Sequence, residues 1–172
     1  MKPLFDPERA FRTFNRHEVR YVVIGGYAAG LIGAPLVTND VDICYDRSPG
    51  NLESLAQALV ELGAKVRVAG VEEDLPFILD ARTLAAGDSF TFSSEAGDID
   101  VLGTPSGSGG YQDLDRSASN FDLGEGLVVR VVSLGDLMRM KAAAGRPKDL
   151  FHLSVLEAVR DEITKQEDPG SR

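Results

Sequence analysis

Two short acidic pairs carry the strongest chemical signal in the chain: Asp40-Val41-Asp42 and Asp98-Ile99-Asp100, each set in an apolar segment. In a strand, residues two apart project to the same face, so each pair would present its carboxylates side by side. In the second pair Ile99 and Val101 would then turn to the core. Carboxylates at that spacing repel and hinder each other's ionisation unless a cation lies between them. Oxygen-rich, doubly negative sites suit Mg²⁺, which is typically shared with substrate phosphates. If the two strands pair, one of Asp98 and Asp100 completes a metal triad with Asp40 and Asp42, able to hold two Mg²⁺ ions, one at an acceptor hydroxyl and one at a triphosphate.

A third feature is Gly25-Gly26, directly after the apolar run Tyr21-Val22-Val23-Ile24 and before a helical stretch. Glycines there allow close backbone approach, and amides at a helix start can hold a phosphate. Taken singly, a Gly pair also fits an ordinary turn, and an acidic strand end also fits solubility. Two D-x-D pairs on apolar strands behind a Gly-Gly bend are much harder to reach by chance.

The elements that must position these residues follow from local pattern. Asp6-Pro7-Glu8 reads as a helix start, with Phe11 and Phe14 as anchors and Arg9, Arg12, Arg16 and Arg20 on another, solvated face. Tyr21–Ile24 and Val41–Tyr45 read as strands, and Pro49 opens a helix closed by Gly63. Residues 64–68 alternate as a strand, 81–86 form a short helix, and Ser89–Phe92 and Ile99–Leu102 form two further strands. Thr104 to Gly110 reads as a mobile loop, lacking the Lys of a phosphate-binding P-loop. Leu127–Val132 is a strand, Ser133 caps a helix to about Ala144, Gly145-Arg146-Pro147 breaks it, and Lys148–Ile163 is the last helix. The irregular alternation predicts an α/β (α+β) fold with a mixed sheet flanked by helices, one domain over 1–165 and a flexible tail over 166–172.

Bulk properties narrow the class. The 172 residues carry a formal net charge of -9, which argues against broad electrostatic capture of nucleic acid but leaves room for a local basic patch. The lone cysteine, Cys44, cannot form an internal disulfide, so a cytoplasmic setting is expected. No apolar run is long enough to span a membrane. Cys44 reads as a small buried hydrophobe. His17 and His152 lack metal-ligand spacing, and Asp113, Asp115, Asp122 and Glu125 read as surface charge.

Gly25-Gly26, Asp40-x-Asp42 and the distal Asp100 resemble the nucleotidyltransferase superfamily whose simplest members are like the DNA polymerase β palm. The segment YVVIGGYAAGLIGAPLVTNDVDI is similar in particular to the AbiEii-type toxin branch of type IV toxin–antitoxin systems, with its glycine pair, helix and R-x-T-x-D-x-D. Thr38, Asp40 and Asp42 match, while Leu36 stands where that branch has Arg. Further on, Lys141 followed by Gly145-Arg146-Pro147-Lys148-Asp149 resembles the branch's helical Lys and R-x-K-D. The resemblance implies the minimal nucleotidyltransferase fold, an NTP substrate such as ATP, and two Mg²⁺ ions on Asp40, Asp42 and Asp100. It implies triphosphate contacts from Gly25, Gly26, Thr38, Lys141 and Arg146, with Asp149 positioning Lys141 or a neighbour. It also implies a tRNA 3′ end as acceptor, growth inhibition as the outcome, and a cognate antitoxin as partner. Arg9, Arg12, Arg16, Arg139, Arg146 and Lys148 are the candidates for a basic acceptor surface. A protein hydroxyl or a small molecule such as an aminoglycoside remains open as acceptor. A non-catalytic nucleotide-binding or interaction module on the same fold remains open too.

Overall fold

A computed structural model describes residues 2–168 and Gly170. Asp6 caps helix α1 (Pro7–Arg16) by accepting the Arg9 amide, with Pro7 in the first turn. Strand β1 (Tyr21–Ile24) runs straight into α2 (Gly25–Ile32), so the glycine pair starts the helix rather than forming a separate turn. Then come β2 (Asp40–Tyr45), α3 (Pro49–Glu61), the two-residue β3 (Lys65–Val66), α4 (Ala81–Ala86), β4 (Ser89–Ser94) and β5 (Gly97–Leu102). The chain ends with α5 (Tyr111–Ser117), β6 (Ser119–Asp122), β7 (Val128–Val131), α6 (Leu134–Ala144) and α7 (Pro147–Glu167).

The seven strands form one mixed sheet in the order β3-β4-β5-β2-β1-β7-β6. One face carries Tyr21, Val23, Ile43, Tyr45, Ile99, Val101 and Phe92, all buried. Phe11 and Phe14 of α1 close on Tyr21 there, and Phe77 packs edge-on against Phe92. The other face, by the same alternation, carries Asp42, Cys44, Asp98, Asp100 and Thr91. Cys44 is buried as expected, and burial pushes its thiol up to about 12. Helix α6 lies over part of this second face.

Several expectations shift. The strand expected over 64–68 narrows to Lys65–Val66, and the last helix continues to Glu167, so Gln166 and Glu167 belong to it rather than to a tail. Of the remaining tail positions, 169, 171 and 172 lie outside the described residues. Helix α5 and edge strand β6 were not expected. They are short and polar, with Leu114 the only buried side chain of the two, so neither shows an apolar period. Asp113 and Asp115, read as surface charge, tie this region together through the Gly109 amide, Arg139 and Arg130. The loop from Thr104 to Gly110 is packed rather than loose. A Cβ on Gly107, whose φ is +76, would stand 2.7 Å from Ala143 Cβ and 2.9 Å from the Arg139 carbonyl of α6.

Candidate active site

Parallel pairing of β2 with β5 sets Asp40 opposite Asp98 and Asp42 opposite Asp100. Oxygens of Asp40, Asp42 and Asp100 come within 4.8 Å of one another, which is the convergence the sequence predicts. Asp42 is pushed up to about 8, by burial first and then by the charges of Asp40 and Asp100, with Lys141 opposing. One oxygen of Asp100, Oδ1, is buried with no hydrogen-bond partner among the described residues. Crowded carboxylates with an unpartnered buried oxygen fit a hard divalent cation, which would neutralise the group and occupy that oxygen. The cluster could therefore hold a metal.

Antiparallel pairing of Ile24 with Asp42 brings the start of α2 beside the triad. Gly25 has φ +70, and a Cβ there would stand 2.1 Å from Asp42 Oδ2, so any side chain at this position collides with the carboxylate. Gly26 has a different neighbour from Gly25. Its open side meets Thr38, at 3.0 Å from a built Cβ to Thr38 Cβ. Thr38 in turn donates its hydroxyl to Asp40 Oδ1 at 2.6 Å, which orients that carboxylate. Leu36, in the place of the usual Arg, is half-buried against the core.

A cleft of about 360 Å³ runs from Gly25, Asp42 and Asp100 to Lys141, Arg146 and Asp149 on the α6–α7 side. Lys141 Nζ lies 3.3 Å from Asp149 Oδ1, and Arg146 Nε lies 2.6 Å from Asp149 Oδ2. Asp149, 1% exposed, also accepts the Arg146 amide and closes a capping box at the start of α7. Its carboxyl is held down to about 2, chiefly by the Arg146 bond and further by Lys141. Half-buried His152, one turn on, is kept below its ordinary value by burial and then by Lys141 and Lys148.

These contacts give a first expected result. Asp149→Asn should cost about 2 kcal/mol at neutral pH. A lowered carboxylate pKa contributes stability that is present above the unfolded value near 4 and lost as pH falls toward 2. Denaturant titrations of the two proteins should therefore differ at pH 7 and converge near pH 2; a pH-independent gap would show that Asp149 acts by shape alone.

Of the six cations proposed for a basic surface, five are paired, Arg146 among them with Asp149, and Lys148 is exposed with no ion pair among the described residues. Arg9 pairs with Glu95, Arg12 with Glu125, Arg16 with Glu61 and Arg139 with Asp113 and Asp136. Arg9, Arg12 and Arg16 line a separate recess under α1 that shares no residue with the cleft. Their helical spacing was visible in sequence; their partners, on distant elements, were not. His17 likewise bonds Glu61.

No family model matches the chain, and no curated protein matches it in sequence. Solved structures do. The lincosamide antibiotic adenylyltransferase LnuA, lincomycin-bound, superposes with a TM-score of 0.60 at 15% identity, over 92% of this chain and 99% of that one. The antibiotic-resistance factor ANT(2'')-Ia superposes with a TM-score of 0.52 at 14% identity, over 95% of this chain and 91% of that one. The same factor in complex with adenylyl-2"-tobramycin superposes with a TM-score of 0.52 at 13% identity, over 94% and 96%. This chain has the nucleotidyltransferase fold. Among the described residues, no helix is long and apolar enough to cross a membrane.

Proposed function

We propose that the protein is a single-domain nucleotidyltransferase that moves a nucleoside monophosphate from an NTP onto an acceptor hydroxyl. The observation that carries this reading is the convergence of Asp40, Asp42 and Asp100 beside the Gly25 bend, with Lys141 across the cleft. Asp40, Asp42 and Asp100 would hold Mg²⁺, two ions by the resemblance to the superfamily. Bound there, Mg²⁺ supplies the positive charge that lets a triphosphate sit against three carboxylates. The Gly25 backbone leaves room for the phosphates beside Asp42, and Lys141 adds a fixed cation on their far side. Thr38 holds Asp40 in place, and Asp149 holds Lys141 and Arg146. The acceptor oxygen bonds to the α-phosphorus, the bond to the pyrophosphate oxygen breaks, and the acceptor proton passes to the Asp100 carboxylate. The lone buried Cys44 supports a reducing cytoplasmic setting.

Three acceptor classes remain from the sequence: a tRNA 3′ end, a protein hydroxyl and a small-molecule hydroxyl. The tRNA 3′ end, with a toxin role and an antitoxin partner, rests on the AbiEii-type resemblance alone. A small-molecule hydroxyl is favoured by the pairing of Arg9, Arg12, Arg16 and Arg139 with carboxylates, which leaves little free charge for a polyanion. Incubation with α-labelled NTPs, Mg²⁺, total tRNA and a small-molecule extract is the direct test. Pyrophosphate release with label on an acceptor is expected. Nucleotide binding without pyrophosphate would leave the non-catalytic module as the answer.

A further inference from the structure

On the site's face of the sheet, cross-strand register lines up Ile24, Asp42, Asp100 and Thr91 from β1 to β4, with Gly25 following Ile24 at one end and Arg67 beyond Thr91 at the other. Arg67 follows β3 and donates its amide to the Thr91 carbonyl at 2.8 Å. A second row runs parallel to it: Asp40, Asp98, Ser93 and Lys65. Phosphoryl transfer sets the attacking and leaving oxygens on opposite sides of the phosphorus. With pyrophosphate on the Gly25 side, the attacking oxygen must arrive from the β4 side.

What waits there is chemically distinctive. Thr91 and Ser93 are half-buried, and among the described residues neither hydroxyl has a hydrogen-bond partner. Arg67 Nη1 reaches Asp98 Oδ2 at 2.6 Å and Lys2 Nζ reaches the same oxygen at 2.9 Å, so both cations are already engaged. Hydroxyls that donate and accept, set next to carboxylates, match a ligand made of hydroxyls. A phosphodiester chain would meet Asp40, Asp98 and Asp100 with no unpaired cation beside them.

We propose that the open face of β4, centred on Thr91 and Ser93 and edged by the Arg67–Asp98 pair, seats the acceptor, and that this acceptor is a compact polyhydroxylated molecule, sugar-like rather than nucleic acid. This rests on the nucleotidyltransferase reading.

Cysteine footprinting tests it on the full chain, because the native Cys44 is fully buried and silent to maleimide. Ser93→Cys reports the acceptor face, and Ala144→Cys reports the cleft beside Lys141. A non-hydrolysable Mg·ATP analogue at about ten times its Kd should slow labelling of Ala144→Cys about tenfold and leave Ser93→Cys reactive. Addition of tobramycin, lincomycin or trehalose at millimolar concentration should then slow Ser93→Cys, and total tRNA should not. Protection of Ser93→Cys by nucleotide alone, by tRNA, or by none of the three polyols overturns the assignment. Protection of neither cysteine by nucleotide, with no heat of nucleotide binding, would instead overturn the nucleotidyltransferase reading beneath it.

Discussion

Asp42→Asn is expected to abolish nucleotidyl transfer, by a factor on the order of 10³ or more, while leaving a folded and less pH-sensitive protein. Its carboxylate faces both Asp40 and Asp100 and is pushed up to about 8 without a cation. The sign follows from linkage. Between the unfolded value near 4 and about 8, the folded chain holds a proton that the unfolded chain has released. Stability of the metal-free protein should therefore fall as pH rises through that window, by at most about 1.4 kcal/mol per pH unit from this group. Asn imitates the protonated acid, so Asp42→Asn should match wild type near pH 5 and exceed it near pH 9. Mg²⁺ binds the ionised form, so it should raise the wild-type melting temperature more at pH 8 than at pH 6 and leave the variant unmoved. Thermal melts at several pH values, with and without Mg²⁺, decide the matter: a variant that keeps both Mg²⁺ stabilisation and turnover would remove Asp42 from the site.

Gly25→Ala should be nearly as damaging for a different reason. At φ +70 a Cβ costs about 1–2 kcal/mol in backbone strain. It would also press on Asp42 Oδ2 from 2.1 Å, so either α2 or the carboxylate must move. Displacing a reacting group by about 1 Å costs roughly 10²-fold in rate, and that is the loss expected here. Gly26→Ala is the natural comparison. Its backbone needs no positive φ, and the built Cβ meets Thr38 at 3.0 Å, a contact relieved by a few tenths of an ångström. Activity assays should rank wild type above Gly26→Ala and Gly26→Ala far above Gly25→Ala. Equal activity of the two variants would show that contact with Asp42 is immaterial.

The mixed sheet, the acidic triad and the Gly-Gly bend were all legible in the residues. Each depends on an interaction of short range: strand alternation puts Asp40 with Asp42, and a strand-to-helix junction needs the freedom of glycine. The Asp6 and Ser133 cap contacts are legible for the same reason, since a cap and its target lie within a turn of each other. Helix α5 and strand β6 were not, because their sequences bury almost nothing; ion pairs to Arg139 and Arg130 hold α5, and antiparallel pairing with β7 holds β6. The 104–110 loop misled by composition. Gly107 packs closely on α6, and Gly109 stands against Asp113 of α5.

The sequence by itself determined which residues could bind a metal and which strands could carry them, since those follow from side-chain chemistry and the two-residue period of a strand. Only the tertiary structure shows why Asp100 rather than Asp98 completes the triad. The parallel register of β2 on β5 sets Asp100 opposite Asp42, and Arg67 and Lys2 engage Asp98 instead. It also decided that the arginines of α1 are spoken for by Glu95, Glu125 and Glu61. Register and ion pairing join residues far apart in the chain, and no local pattern encodes a partner that folding alone brings near.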